Sequence, residues 1–290
     1  MIRRVAITGG THGNELTGVY LIKKWQNDPT PVTRESFETL TLHTNPEAIK
    51  ACRRYIDRDL NRSFATADLA NPATHYEATR ACELNALLGP KGAEETAVDF
   101  ILDLHSTTAN MGLSLVVSSE STLTWEAVRY LCAREPKLRV YRWRGDEEDA
   151  FVDSIAPNGF AIEVGPVPQG VLRSDLFIQT ETLVYHLLDF FEKRNRKKAL
   201  PELHEKVTVY DHVTLIDYPR DANGDLDGMI HEARQDRDFT LIQKGDPLFR
   251  KLDGTVICYE GEEPLYTLFI NEAAYYEKGF AMTLARKIEL

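Results

Sequence analysis

Two residue types that bind metal ions lie three positions apart near the start of the chain. His12 and Glu15 belong to the glycine-rich segment 9–15, which follows the apolar run 5–7. An imidazole and a carboxylate on such a tight turn can converge on one small cation, and zinc accepts both donor types. Alone, the pair is weak evidence, because the spacing arises by chance and an acidic residue also favours a helix N-terminus.

A third candidate ligand, His105, directly follows the strand-like segment 98–104. Because the ends of strands in an open α/β sheet can meet at one edge, His105 can approach His12 and Glu15 there. The alternative for His105 alone is a histidine whose hydrogen bonds are satisfied at the edge of the core. Two histidines and one carboxylate would leave a fourth tetrahedral position for water, as in catalytic zinc sites.

A single carboxylate, Glu163, lies between Ile162 and Val164 in the apolar segment 159–166, which we predict to be a strand. Burying an ionisable group is costly unless it is paired or used. In the wall of a metal site, Glu163 can take a proton from water and pass it to a leaving nitrogen. The alternative is that Glu163 faces solvent on one side of an edge strand.

A short loop, residues 53–62, is dense in charges of both signs. Arg54 can stabilise the oxyanion of a tetrahedral intermediate, while Asn61 and Arg62 can bind a substrate carboxylate. Asp59 can accept the ring N–H of a metal-binding histidine. By composition alone, the loop is equally explained as a surface ion-pair network that contributes little.

Composition restricts the class of protein. The 290 residues carry a formal net charge of −11, which argues against a general affinity for nucleic acid or anionic membrane. No apolar stretch is long enough to span a membrane, and strand-like sequence from Arg3 leaves no room for a signal peptide. The four widely spaced cysteines indicate neither a zinc ribbon nor a disulfide framework. We therefore expect a soluble protein of the reducing cytoplasm.

Apolar periodicity predicts alternating strands and helices up to about residue 200. The predicted strands lie near residues 5–7, 38–44, 98–104, 113–117 and 159–166. A first helix is predicted from the apolar face at Leu16, Val19 and Tyr20 to the stop signal at residues 26–29, and further helices at 76–88, near 122–134 and at about 174–198. Beyond Pro201 the segments are short and β-rich, and Asn223-Gly224 and Asp253-Gly254 predict two-residue hairpins. The pattern predicts an α/β domain at residues 1–200 and a smaller all-β domain at residues 201–290.

The candidate residues carry a resemblance to the aspartoacylase/aminoacylase-3 family. Five segments match in order over nearly the whole chain, which are residues 9–15, 54–62, 103–105, 163–173 and 271–278. The order of Asp59, Asn61 and Arg62 also resembles the zinc carboxypeptidases. The resemblance implies a zinc-carboxypeptidase-like mixed sheet flanked by helices, with a C-terminal β-rich domain that narrows the site entrance.

The resemblance also implies a function. It implies a zinc-dependent amidohydrolase, with one Zn²⁺ per subunit, that hydrolyses N-acyl amino acids to a carboxylate and a free amino acid. The family roles would fall as follows: zinc at His12, Glu15 and His105; proton transfer at Glu163; carbonyl polarisation at Arg54; the carboxylate clamp at Asn61 and Arg62; a substrate contact at Tyr275. By family analogy we expect a homodimer or higher homo-oligomer.

One departure from the family pattern bears on the substrate. Asp153 stands where aspartoacylases carry an arginine for the aspartate side chain, and Ser106 replaces a common asparagine. An anion there would repel an aspartate side chain. The chain is similar in this to the aminoacylase-3 branch, which prefers N-acetylated aromatic amino acids and S-conjugated cysteine derivatives. Three alternatives stay open: a loop shift that brings Arg142 or Arg144 into the gap, strict N-acetyl-L-aspartate hydrolysis to acetate and L-aspartate, and a catalytically silent metal- and ligand-binding protein.

Overall fold

The structure, a computed structural model, describes residues 1–145, 149–198 and 206–290. In these residues the main feature is a large mixed sheet with helices on both faces. The strands are β1 (Arg4–Gly9), β2 (Glu38–His43), β3 (Phe100–Ser106), β4 (Gly112–Val117), β5 (Arg139–Arg142), β6 (Gly159–Gly165), β7 (Thr208–Ile216), β8 (Gly228–Ile230), β9 (Thr240–Ile242), β10 (Pro247–Lys251), β11 (Val256–Cys258), β12 (Leu265–Leu268) and β13 (Met282–Glu289). The α-helices are α1 (Leu16–Asn27), α2 (Pro46–Ala51), α3 (Thr66–Ala70), α4 (Tyr76–Leu88), α5 (Thr122–Arg134) and α6 (Ser174–Asn195).

The order of the large sheet, β2-β1-β3-β6-β4-β5-β7-β13-β12-β9, brings distant segments of the chain together. β1 pairs in parallel with β3, so that Gly9 lies opposite Leu104. β3 pairs in parallel with β6, which places His105 opposite Glu163. The C-terminal ends of β1 and β3 therefore lie side by side, which brings His12, after β1, close to His105, the second-last residue of β3.

Apolar side chains of the strands pack against helices on both faces of the sheet. On one face α1, α5 and α6 join a cluster that includes Trp25, Phe100 and Phe191. On the other face α4 contributes Leu84 and Leu88 to a second cluster with residues of β1 and β3. Because both faces are covered, β1 and β3 each contain a continuous apolar run, residues 5–7 and 100–102, rather than an alternating pattern.

In the described C-terminal part, the regular elements are seven strands and one 3₁₀ turn, Ala273–Lys278. β7 pairs in parallel with β5, with Tyr210 opposite Tyr141, and β13, β12 and β9 follow in antiparallel order. Strands β8, β10 and β11 form a separate sheet. The predicted fold class is confirmed, and four C-terminal strands extend the large sheet. The predicted boundary near residue 200 lies outside the described residues.

The two predicted hairpin turns are present, but their loops contain three residues instead of two. In each loop a glycine N–H donates to the carbonyl three residues earlier, from Gly224 to Asp221 at 3.1 Å and from Gly254 to Lys251 at 3.0 Å. Both glycines have φ near +90°. Each glycine supplies the left-handed residue that closes a three-residue hairpin loop.

Other differences from the sequence prediction lie in short elements. Asn45 and Pro46, a dipeptide that predicts a turn by its residue types, begin α2 instead: the Asn45 side chain accepts the Ala48 N–H at 3.4 Å, and a proline is favoured in the first turn. The short strand β5 was also missed, and α6 ends at Asn195 rather than Lys198. Among the helices described, none has both the length and the apolar character that crossing a membrane requires.

Candidate active site

The turn between β1 and α1 depends on two glycines. Gly10 has φ +73°, a conformation that side chains disfavour. A Cβ on Gly13 would lie 2.1 Å from the carbonyl carbon of Ala48. Because only glycine allows this path so close to α2, the turn can direct His12 and Glu15 towards the end of β3, where both are buried.

Three potential metal ligands converge at this edge of the sheet. Nδ1 of His12 lies 3.2 Å from Nδ1 of His105. The Glu15 carboxylate spans the pair, with Oε1 2.5 Å from His12 Nδ1 and Oε2 2.9 Å from His105 Nδ1. The three side chains are buried, and their donor atoms are close enough to share one cation.

The opposite ring nitrogens of both histidines face carboxylates. His12 Nε2 lies 3.1 Å from Asp59 Oδ1, and His105 Nε2 lies 2.5 Å from Asp103 Oδ2. A carboxylate at one ring nitrogen holds the proton there and leaves the other lone pair for a metal. The sequence analysis placed Asp59 beside a histidine but missed Asp103. The available signal was spacing, because residues two apart on a strand share a face.

Asp103 is itself held by buried hydroxyl groups. Its Oδ1 accepts hydrogen bonds from Thr8 Oγ1 at 2.8 Å and from Thr11 Oγ1 at 2.9 Å. Burial raises the pKa of Asp103, but His105 and the two hydroxyl groups outweigh it and lower the pKa overall. The carboxylate that orients His105 therefore has a fixed position and stays ionised.

The charges around His12, Glu15 and His105 suit the binding of a cation. Burial opposes ionisation of Glu15, yet the imidazoles of His12 and His105 hold its pKa well below the usual range. Burial likewise opposes ionisation of Asp59, and His12 and then an arginine lower its pKa well below normal. Burial lowers the pKa of His105, but Asp103 and Glu15 raise it well above normal overall. Three buried carboxylates thus surround two imidazoles.

Glu163 reaches the same site from β6. The strand lies between β3 and β4 in the sheet, so the alternative of an edge strand does not hold. Glu163 is half-buried and lines the cavity in front of the three ligands. Burial and the charge of Glu15 raise its pKa well above the ordinary range. A carboxyl group whose pKa is raised by burial and by a neighbouring charge is suited to general acid–base chemistry.

Arg54 approaches from the charged loop. Its Nη2 donates to Asp59 Oδ2 at 3.0 Å, and its Nη1 lies 3.3 Å from Glu15 Oε1. Burial lowers the pKa of the guanidinium, but Asp59 and Glu15 raise it overall, so Arg54 keeps its charge. The loop is therefore part of the site and not a surface ion-pair network.

Asn61 and Arg62 follow on a 3₁₀ turn whose first N–H groups are capped by Asp59. The Asp59 carboxylate accepts the Asn61 N–H at 2.9 Å. Asn61 Oδ1 accepts the Val152 N–H at 2.9 Å, which fixes the side-chain amide. The Arg62 guanidinium lies over the Phe151 ring at 4.8 Å from its centroid. Both residues line the cavity.

The C-terminal part contributes Tyr275, which lies on the turn Ala273–Lys278 and lines the cavity. Glu272 precedes this turn and is buried. Its Oε2 accepts the backbone N–H groups of Thr108 at 2.7 Å and Ala109 at 3.2 Å. Glu272 thus ties the Tyr275 turn to the loop after β3. The sequence analysis missed it, because the partner loop cannot be read from the sequence.

The cavity has a volume of about 580 Å³, within the usual range for small-molecule sites. All predicted site residues line it except Glu15 and Asp59. Six of the sixteen other lining residues are aromatic, and together they form the aromatic wall of the cavity. The aromatic lining residues are Tyr141, Trp143, Phe151, His212, Phe269 and Phe280.

Asp153 lies in the wall of this cavity and is buried. Burial and the charge of Asp103 raise its pKa to about 7. The two arginines considered for this region both contact Asp211: Arg142 Nε lies 2.5 Å and Arg144 Nε 3.2 Å from Asp211 Oδ1. Arg144 reaches the cavity lining. Recognition of an acidic substrate through Arg144 therefore stays a prediction.

Comparison with known proteins identifies the family. Residues 1–191 match the succinylglutamate desuccinylase/aspartoacylase catalytic domain, and residues 205–287 match the AstE/AspA barrel-sandwich hybrid domain. The chain belongs to the succinylglutamate desuccinylase/aspartoacylase family. These family matches give the fold of both halves; the roles of the individual site residues remain predictions.

Relatives within the succinylglutamate desuccinylase/aspartoacylase family carry two different names. The chain is 46% identical to a probable aspartoacylase of Trichodesmium erythraeum, over 99% of this chain and 97% of that protein. It is also 46% identical to the human N-acyl-aromatic-L-amino acid amidohydrolase (carboxylate-forming), over 99% and 91%. The crystal structure of murine aminoacylase 3 superposes with a TM-score of 0.94 at 44% identity, over 100% of this chain and 96% of that one.

Proposed function

We propose that this protein is a zinc-dependent amidohydrolase that hydrolyses N-acyl amino acids, with a preference for N-acetyl aromatic amino acids. The observation that carries the proposal is that His12, Glu15 and His105 converge on one point, while His12, His105, Glu163 and Arg54 line the cavity beside it. The names of the family relatives support the same class of reaction.

The residues fit a zinc ion. In a tetrahedral site with Zn–N distances of about 2.0–2.1 Å, two nitrogen ligands lie roughly 3.3 Å apart. The Nδ1 atoms of His12 and His105 lie 3.2 Å apart, with the Glu15 carboxylate beside both. Zinc would act as a Lewis acid that polarises the amide carbonyl and makes water acidic enough to supply hydroxide near neutral pH.

Glu163 would move the proton. Its raised pKa allows it to hold the proton taken from the attacking water and then to give it to the departing amine. One carboxyl group therefore serves first as general base and then as general acid.

The charged loop and the C-terminal turn would hold the substrate. The permanent charge of Arg54 can stabilise the oxyanion that develops on the carbonyl oxygen. Asn61 and Arg62 would bind the carboxylate of the amino acid, with Tyr275 as a further contact. Asp59 and Asp103, one behind each histidine, would keep the imidazole rings in a fixed orientation.

The aromatic wall and Asp153 favour an aromatic side chain over an acidic one. Burying an aromatic ring against aromatic residues is favourable, whereas an aspartate side chain beside Asp153 would meet like charge or an unpaired buried carboxyl. N-acetyl-L-aspartate is the second candidate substrate, because Arg144 lines the cavity and one relative is named probable aspartoacylase.

A substrate panel tests the proposal. The kcat/KM of the zinc-loaded enzyme is measured on N-acetyl-phenylalanine, N-acetyl-tyrosine and N-acetyl-aspartate. Higher values for the aromatic compounds support the proposal, and a higher value for N-acetyl-aspartate supports aspartoacylase activity. Zinc binding without turnover of any compound would indicate a silent metal- and ligand-binding protein.

We further propose a cytoplasmic location and a homodimeric or larger assembly. All four cysteines lie in the described part of the chain and carry free thiols, which supports a reducing compartment. The assembly rests on family analogy. Light scattering on the purified protein measures it.

A further inference from the structure

Glu77 is a fully buried carboxylate, in the first turn of α4, that faces the backbone of the charged loop. Its Oε1 accepts the Ile56 N–H at 2.7 Å. Its Oε2 accepts the N–H groups of Asp57 at 3.0 Å and Arg58 at 3.2 Å. The Asn45 side-chain amide lies 3.4 Å from Oε1. Three successive amides thus form a concavity that holds the buried anion.

The loop and the helix hold each other reciprocally. Asp57 Oδ2 accepts the Tyr76 N–H at 3.0 Å, and His75 Nδ1 accepts the Ala78 N–H at 3.2 Å. Asp57, His75 and Glu77 are close enough to share a cation. Because each already accepts backbone N–H groups, we assign the cluster to anchoring of the loop.

The anchored amides lie between two residues of the site. Arg54 is two residues before Ile56, and Asp59 directly follows Arg58. The next regular element begins only at Leu60. No helix or strand therefore fixes the path of the chain from Arg54 to Asp59. The Arg54 carbonyl accepts the Gly13 N–H at 3.3 Å, and the contacts of Glu77 hold the three amides that follow.

We propose that Glu77 is a positioning residue for the reaction, because it fixes the loop that places Arg54 at the substrate carbonyl and Asp59 behind His12. The inference rests on the proposed function, in which Arg54 acts on the substrate. A misplacement of about 1 Å at such a group can cost about 100-fold in rate.

The central test is Glu77→Gln, which keeps the shape but places an amide NH₂ against backbone N–H groups. We expect kcat to fall roughly 10- to 100-fold, with KM changed by less than about threefold and zinc content unchanged. In an Arg54→Ala background, Glu77→Gln should lower kcat by less than about twofold further, because most of its effect acts through Arg54.

Hydrogen exchange gives a readout that does not need activity. The amides of Ile56, Asp57 and Arg58 should exchange at least about tenfold faster in Glu77→Gln. Asp57→Asn, at an exposed residue, weakens the reciprocal hydrogen bond from the Tyr76 N–H to the loop. It should lower kcat and speed up amide exchange, each to a smaller degree than Glu77→Gln. If Glu77→Gln does not fold, Asp57→Asn tests the anchoring of the loop in its place.

Asp99→Asn is the matched control. Asp99 Oδ2 also accepts two backbone N–H groups, from Arg3 at 2.6 Å and Arg4 at 3.0 Å, but at the start of β1, the end away from the site. Its kcat should stay within about twofold of the unmutated enzyme.

Three results would overturn the inference. The first is that Glu77→Gln lowers kcat by the same factor with and without Arg54. The others are unchanged hydrogen exchange at residues 56–58, or an equal decrease in kcat in Asp99→Asn. If the unmutated, zinc-loaded enzyme hydrolyses no N-acyl amino acid, the proposed function fails. Faster exchange in Glu77→Gln would then still support the anchoring, and unchanged exchange would contradict it.

Discussion

The Nδ1 atoms of His12 and His105 lie 3.2 Å apart, although 93 positions separate the two residues in the chain. The parallel pairing of β1 with β3 brings them together. Their other ring nitrogens face Asp59 and Asp103. The geometry of the pair therefore depends on the register of two strands and on the two carboxylates behind the rings.

Removal of metal should abolish activity. We expect one zinc ion per subunit and a loss of at least about 100-fold in kcat after chelation, because the oxyanion and the attacking water lose their Lewis acid. The unfolding midpoint should also fall, since a ligand that binds only the folded state stabilises it. Zinc should restore both properties and magnesium should not, because magnesium prefers all-oxygen sites. Full activity of metal-free protein would refute the zinc site.

Glu163→Gln should keep zinc and lose turnover. We expect kcat to fall by about 10²- to 10⁴-fold, the usual contribution of a proton-transfer group, with zinc content unchanged by elemental analysis. Glu83→Gln, at an exposed residue of α4, serves as the control and should be neutral. A near-normal kcat in Glu163→Gln would remove Glu163 from the mechanism.

Asp103→Asn should weaken metal binding. The asparagine no longer holds the His105 proton at Nε2 as a carboxylate does, so we expect zinc affinity to fall about 10- to 100-fold. Competition with a chromophoric chelator measures the dissociation constant. Equal affinities of the variant and the unmutated protein would show that Asp103 does not orient His105.

Asp153→Arg should move substrate preference towards N-acetyl-aspartate. The substitution replaces a buried acid in the cavity wall by a cation, and we expect the kcat/KM ratio for N-acetyl-aspartate over N-acetyl-phenylalanine to rise roughly 10- to 100-fold. Asp153→Asn separates loss of the acid from gain of the cation. An unchanged ratio in both variants would exclude Asp153 from side-chain selection.

Asp238 should make stability depend on pH. Burial raises its pKa to about 7, although the N–H groups of Ile270 and Asn110 bind its carboxylate. Between about pH 4 and pH 7 the folded state therefore holds a proton that the unfolded state releases. Its contribution to the free energy of unfolding should fall by up to about 1.4 kcal/mol per pH unit in that window and stay level above it.

Asp238→Asn removes this titration. The difference in unfolding free energy, unmutated protein minus variant, should decrease from pH 5 to pH 7 and then remain constant in chemical denaturation. A difference that is independent of pH would mean that Asp238 is ionised throughout.

The elements with strong apolar periodicity could be predicted from the sequence. So could the site residues whose side chains can bind a metal ion or transfer a proton. β1, β3 and β6 each contain an apolar run followed by a turn signal. His12 lies after the first run, His105 at the end of the second and Glu163 within the third, and these places made them candidates for the site. Four-residue β5 and the short α2 were missed because such elements depend on tertiary pairing more than on local preference.

Contacts made through tertiary structure could not be predicted. Glu77 and Glu272 are unremarkable acidic residues in the sequence, and their roles depend on backbone N–H groups of loops that are distant in the chain. The aromatic cavity wall likewise combines Trp143 with His212 and Phe280, which lie on opposite sides of residue 200. Periodicity reports which face of an element is buried but not what lies against it.

The parallel contact between β5 and β7 has a consequence for any shortened version of the chain. Cutting after residue 198 would strip β5 of a neighbour and leave its N–H and C=O groups open along one side. Unpaired strands of this kind recruit other chains and promote aggregation. The same cut would remove Tyr275, His212 and Phe280 from the cavity wall. The catalytic half expressed alone should therefore be prone to aggregation and unable to enclose a substrate.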